Sequence, residues 1–211
     1  MRRRQDTPPR RPGRPAGRVT PAVTYGLLAA WAAHDLEEAL AFGPWARHAL
    51  PRLRERYPGI PGRVWRTVES VDEREFAVAV ALVGAVMAAA AAAGQATGGR
   101  SRLFQLALAG FGLHAAGHCA SAAVVRGYAP GLVTAPLVAA PFSAWAIRRL
   151  KAAGVWRRLS ADDIIPESVL ALTLLGGSHL LARILVGRKS ALRGHRAQRA
   201  AYRTEASPCR G

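Results

Sequence analysis

Apolar residues in this chain fall into blocks separated by polar, arginine-bearing stretches. The first block covers about residues 19–42 and stops at Gly43-Pro44; Pro21 suits its start, because the first helical turn has N–H groups to spare. The second, about residues 76–96, is almost entirely Ala, Val, Leu and Gly, and the third covers 103–125. A fourth, 132–147, contains Pro136 and Pro141, and a fifth covers 168–186. About twenty helical residues span about 30 Å, the thickness of a bilayer's hydrocarbon core. The first three blocks reach that length and the last two fall slightly short. Prolines that would break a soluble helix are accepted in membrane bundles, where neighbours satisfy the freed carbonyls. The pattern therefore predicts an all-α, multi-pass transmembrane helical bundle of about five spans.

Between the first and second blocks, Pro51, Pro58 and Pro61 punctuate a polar stretch over 43–74, which reads as a loop with a short interfacial helix around 64–71. Residues 1–18 combine seven arginines with Pro8, Pro9, Pro12 and Pro15 and carry little to bury, the composition of a disordered tail. The expected organisation is a basic tail over 1–18, a membrane domain over 19–150, a connector with a fifth hydrophobic helix over 151–187, and a second basic tail over 188–211. A cleaved signal peptide ending near Ala30-Trp31-Ala32 is the rival reading of the first block, but apolar residues continue well past that point. Positive charge divides almost evenly between the two sides of such a bundle, so the positive-inside rule sets no orientation.

The formal net charge of +17 raises the question of a polyanionic partner. It is concentrated in the two tails, which points to membrane lipids with anionic head groups. No aromatic-interleaved nucleic-acid-binding pattern accompanies it, and no nucleic acid is expected. Two cysteines, Cys119 and Cys209, define no disulfide framework. Abundant Ala, Arg, Gly and Pro with little Lys suggests a high-GC bacterial coding bias and hence a bacterial cytoplasmic membrane.

Within the first block stands His34-Asp35-Leu36-Glu37-Glu38. His34, Glu37 and Glu38 at i, i+3 and i+4 share one helical face, and Asp35 projects about 100° away. Acidic residues near the centre of a span cost about 2.5–3.5 kcal/mol each, so such a run implies pairing, water or function. The third block carries His114 and His118, again at i and i+4, with Gly110 and Gly117 one heptad apart as candidates for close helix approach. Facing helices that each contribute such a set can build a metal centre inside a bundle. The candidate ligands are His34, Glu37, Glu38, His114 and His118. Zinc is favoured, and iron or manganese also fits imidazole with carboxylate. The glutamate that does not ligate, Glu37 or Glu38, is the candidate catalytic base. Asp35, Arg126 and Tyr128 are candidates for supporting the ligands or touching substrate, with Arg126 and Tyr128 at the membrane interface beside a Pro130-Gly131 turn. The competing structural account pairs the acidic run with an arginine such as Arg126 or Arg183, while His179 and Arg183, i and i+4 neighbours in the fifth block, rank low as site members.

Ala33-His34-Asp35-Leu36-Glu37-Glu38, then Arg74-Glu75-Phe76-Ala77-Val78-Ala79, then His118 followed by Arg126-Gly127-Tyr128-Ala129-Pro130-Gly131 and Thr134 resemble, in that order, the HXXEE-domain family of bacterial membrane proteins. The resemblance covers about residues 20–150 and implies a four-span core with the fifth block outside it. It implies membrane location and the importance of the motif residues, and names no reaction. The expectation is thus an integral membrane protein with an intramembrane His/Glu metal site, acting as a metal-dependent hydrolase on a lipid or membrane-soluble substrate. A small transporter or proton relay and a non-enzymatic scaffold are the alternatives.

Overall fold

A computed structural model describes residues 19–157, 176–185 and 187. Among these residues the protein is all-α, without a strand. Helix α1 spans Pro21–Arg56, α2 Gly62–Glu69, α3 Glu73–Ala96 and α4 Arg102–Val125; a π-helical turn, Ala135–Ala139, leads directly into α5, Ala140–Ala152. Residues 176–185 are also helical. The expected tails, most of the 151–187 connector and the first half of the fifth block lie outside the described residues.

Local chemistry accounts for the helix ends. Asp72 accepts from the Glu75 backbone N–H at 2.6 Å and Ser101 from that of Phe104 at 3.3 Å, so α3 and α4 each begin on a side-chain cap. Gly98, with φ +60°, lets the Gly99 N–H turn back onto the Gly94 carbonyl at 2.7 Å, and Gly154 closes α5 in the same way. The end of α4 uses this geometry with a non-glycine: Arg126 has φ +52°, and the Gly127 N–H reaches the Ala122 carbonyl at 3.2 Å. The left-handed conformation costs such a residue about 1–2 kcal/mol, which the surrounding contacts must outweigh.

Those contacts come from α1, which corrects the expected stop at Gly43-Pro44 and the expected loop after it. The helix runs through Pro44 and Pro51 to Arg56. Each proline removes one helical N–H, a local loss that favours a break. Tertiary bonds offset it: Trp45 Nε1 donates to the Tyr128 carbonyl at 3.0 Å, and Tyr57 Oη donates to the Val124 carbonyl at 2.8 Å. The far end of α1 thereby covers the Val124 carbonyl in the last turn of α4, which has no partner in its own helix, and the Tyr128 carbonyl in the loop beyond it. Short α2, close to the predicted interfacial helix, buries Trp65 and exposes Val64 and Val68.

The core is a seam between α1, α4 and α5. Val23, Leu27 and Ala30 on α1 meet Phe104, Leu108, Phe111 and Ala115 on α4, with Ala135, Ala139, Ala146 and Leu150 behind. Helix α3 packs along α1, where a Cβ on Gly84 would lie 2.7 Å from Trp31 Cη2, and meets α4 where Gly94 faces Phe104. Gly110 and Gly117 meet none of the described residues where a side chain would stand, so they do not form the α1–α4 contact expected of them. Two helices, Glu73–Ala96 and Arg102–Val125, are long and apolar enough to cross a membrane, and only 22% of each apolar window is buried.

Beneath the α3–α4 turn, the buried Gln105 amide donates to the carbonyls of Gly99 (2.7 Å) and Val155 (2.8 Å) and accepts from the Arg157 N–H (2.9 Å). Replacing it with leucine strands three backbone groups. Gln105→Leu is expected to lower unfolding stability by about 1–3 kcal/mol, read by thermal denaturation of the detergent-solubilised protein; an unchanged midpoint contradicts the role given to this network.

Candidate metal centre

The apolar stripe Val23, Leu27, Ala30 continues on α1 as His34 and Glu38, and the α4 stripe is continued by His118 with His114 beside it. Helical spacing thus carries the ligand candidates into the same seam that forms the core, one to two turns further along. His34, Glu38, His114 and His118 meet there, with one ligand atom from each inside a 4.8 Å cluster. Glu38 Oε1 lies 3.3 Å from His34 Nε2, 3.4 Å from His114 Nε2 and 2.6 Å from His118 Nε2, and the last two nitrogens are 2.9 Å apart.

The protons can be placed from the outer nitrogens. His118 Nδ1 lies 2.7 Å from the Pro130 carbonyl, which only accepts, so Nδ1 carries the hydrogen. His34 Nδ1 lies 2.7 Å from Thr134 Oγ1, whose own hydrogen goes to Glu37 Oε2 at 2.5 Å; here too Nδ1 donates. In the neutral rings both Nε2 atoms are then acceptors beside a carboxylate oxygen, and that of His118 also meets His114 Nε2 at 2.9 Å. His34 Nε2 and Glu38 Oε1 are fully buried and have hydrogen-bond geometry to no neighbour. Asp35, also buried, lies close enough to Glu38, His114 and His118 to interact with them electrostatically. Phe111 packs edge-on against the His34 ring at 5.7 Å and supplies an apolar wall.

Glu37 stands apart from this cluster. Its carboxylate accepts from Tyr128 Oη (2.9 Å), from the backbone N–H groups of Val133 (3.2 Å) and Thr134 (2.8 Å), and from Thr134 Oγ1. Neighbouring helical residues diverge by about 100°, so Glu38 faces α4 while Glu37 faces the 128–134 loop and pins it to α1. Partial burial and the Glu37 carboxylate push the Tyr128 phenol up to about 12, which keeps it a donor at neutral pH. Arg126 is exposed, and among the described residues no lysine or arginine pairs with Glu37 or Glu38. Arg183 instead forks onto Glu75 with two 3.0 Å bonds, with His179 alongside at 3.5 Å, so the arginine account of the acidic run does not hold for it.

Thr134 and Gly131 were not among the sequence candidates. Thr134 joins His34 to Glu37, and its signal was present in the Tyr128-x-Pro130-Gly131-x-x-Thr134 pattern. Gly131, at φ +81°, sits so close that a Cβ would lie 2.7 Å from His118 Nδ1 and 2.9 Å from Glu38 Oε1.

A helical bundle whose core seam ends in a buried His/Glu cluster defines the class of protein. Residues 25–146 match the family described as proteins of unknown function with an HXXEE motif, and the chain belongs to that family. The motif is His34-Asp35-Leu36-Glu37-Glu38, whose first and last residues lie in the cluster. No curated protein and no solved structure matches the chain.

Gly131→Ala is expected to weaken metal retention about tenfold or more, since the left-handed backbone alone costs about 1–2 kcal/mol and the methyl displaces His118. Helicity by circular dichroism should persist. Gly127→Ala, where the space is open, serves as the control and should bind like the parent; equal retention in all three contradicts the tight fit at Gly131.

Proposed function

We propose that this chain is a multi-pass membrane protein that holds one divalent metal ion on His34, His114, His118 and Glu38 and hydrolyses a lipid or another membrane-soluble substrate. The observation that carries the reading is the convergence of three imidazole nitrogens and a buried carboxylate oxygen on one point, with His34 Nε2 and Glu38 Oε1 lacking hydrogen-bond geometry to any described neighbour. Acceptors facing acceptors at low dielectric repel one another, and a cation among them turns repulsion into binding. Tetrahedral zinc with ligands at about 2.0–2.2 Å has ligand-to-ligand edges of about 3.3 Å. Separations of 3.3 and 3.4 Å lie near that edge and those of 2.9 and 2.6 Å below it, and all four atoms fall within 4.8 Å of one another, so side-chain adjustment is needed to reach it. The Nδ1 bonds to Thr134 and Pro130 are the outer contacts that orient metal-binding imidazoles. Zinc is favoured, with iron or manganese accommodated by the same donors.

The outer surface supports the membrane reading. Leu40, Leu113 and Leu137, on α1, α4 and the π-helical turn, are 71%, 74% and 71% exposed. Against water such a surface promotes aggregation, whereas against acyl chains it is matched. The first half of α1 and the fourth and fifth blocks supply the remaining spans of a five-span bundle in a bacterial cytoplasmic membrane, with the basic tails on anionic head groups.

A divalent ion in this donor set supplies Lewis acidity and activates water. With Glu38 among the ligands and Glu37 engaged by the loop, neither glutamate is the free base expected of the pair. Tyr128 and Glu37 position the site, holding the loop that carries Gly131 and Thr134. A second reading, a proton or ion relay, has its own observation: exposed His114, His118, Glu38, His34, Thr134, Glu37 and Tyr128 form a continuous file of close polar contacts.

Metal analysis of the full-length protein, extracted from carbonate-washed membranes, separates the two. About one equivalent of a transition metal is expected, falling at least tenfold in His118→Ala and Glu38→Ala. Folded, metal-free protein that conducts protons in vesicles supports the relay and overturns the metal centre.

A further inference from the structure

Helix α4 has two unlike faces. One carries the core residues Phe104, Leu108, Phe111 and Ala115. On the other, Gly110, His114 and Gly117 succeed one another at i, i+4 and i+7 and so lie in one line along the helix. Among the described residues nothing lies within 4 Å of a Cβ placed on either glycine, and Leu113 stands beside the line at 74% exposure. Ser121, the next position along, turns its hydroxyl back to the Gly117 carbonyl at 2.9 Å. The line is therefore a furrow floored by bare helix backbone and interrupted by one imidazole.

That imidazole is the open door of the cluster. The His114 side chain is 43% exposed, against 16% for His118, 10% for Glu38 and none for His34. Its Nε2 faces Glu38 Oε1, and behind it lie the two buried atoms without a hydrogen-bond partner, His34 Nε2 and Glu38 Oε1. Because α4 is apolar enough to cross a membrane, the furrow opens toward acyl chains, while the site it reaches is polar and anionic. A molecule fitting both has a long hydrocarbon chain and a head that coordinates a cation.

Resting on the metal reading above, we infer that the furrow at Gly110 and Gly117 holds the hydrocarbon chain of an acyl ester lipid whose carbonyl meets the cluster at His114. The substrate reaches the site sideways from within the bilayer. Hydrolysis consumes one water: its oxygen bonds to the acyl carbon, the ester C–O bond breaks, and the alcohol leaves with one of the water's protons. The fatty acid retains the other proton until it ionises. The two glycines are specificity residues, since any side chain there fills the space the chain occupies.

Straight-chain alkyl hydroxamates test this, because their head binds the metal and their chain length is varied freely. Titration calorimetry on the metal-loaded, full-length protein in detergent is expected to show affinity, referred to the free aqueous probe, rising about fourfold per added methylene. Gly110→Leu and Gly117→Leu should lower affinity for the long-chain members at least tenfold relative to the parent while leaving acetohydroxamate binding and metal content unchanged. Uptake of the free probe by micelles is common to all three proteins and cancels in the comparison. Chain-length dependence identical in parent and leucine variants overturns the furrow with the metal centre intact. Protein that carries no metal and binds no acetohydroxamate overturns the metal reading, and the head-group anchor of the furrow with it.

Discussion

Three imidazole nitrogens lie within 3.4 Å of one buried carboxylate oxygen, Glu38 Oε1, and the surrounding structure can be understood as what is required to keep them there. Lone pairs brought together out of water are costly unless something positive lies between them. The protein provides no arginine or lysine for this purpose among the described residues. It provides hydrogen bonds on the far side of the rings, from His34 to Thr134 and from His118 to Pro130, which fix the orientation of each ring and leave the inner nitrogens as acceptors.

Holding Thr134, Pro130 and Gly131 in register requires the 128–134 loop to lie against α1. Glu37 does this with four hydrogen bonds, and Trp45, a further two turns along α1, adds a bond to the Tyr128 carbonyl. The continuation of α1 past two prolines is part of the same arrangement, since without that extension Trp45 and Tyr57 would not reach the end of α4. The π-helical turn that follows Thr134 serves it too. Pro136 and Pro141 each withhold an N–H, and the wider turn between them, closed by the Ala140 N–H on the Ala135 carbonyl, restarts the helix immediately after the loop. A widened turn beside a functional cluster is a recurrent association.

Much of this was legible in the sequence, for a physical reason: helical periodicity is local. The i, i+4 pairs His34/Glu38 and His114/His118 share faces on any α-helix, and the four apolar blocks within the described core became helices, the second and third near their expected bounds and the first well past its expected end. What depends on rotation about a helix axis was not legible. Glu37 and Glu38 both follow His34 at allowed spacings, yet adjacent side chains diverge by about 100°, and only packing decides which turns inward. The same holds for the glycines: Gly84 and Gly94 meet neighbouring helices, whereas Gly110 and Gly117 rotate outward once His118 and Ala115 turn in. The prolines at 44 and 51 misled for a related reason, because a proline's local penalty is visible in sequence and the distant carbonyls at the end of α4 are not.

X-ray absorption at the edge of the bound metal, recorded on the full-length protein, tests the central claim most directly. The account predicts a first shell of nitrogen and oxygen with no sulfur, and outer-shell scattering from about three imidazole rings that diminishes by one ring in His118→Ala. A sulfur shell, or a first shell without imidazole scattering, would contradict it.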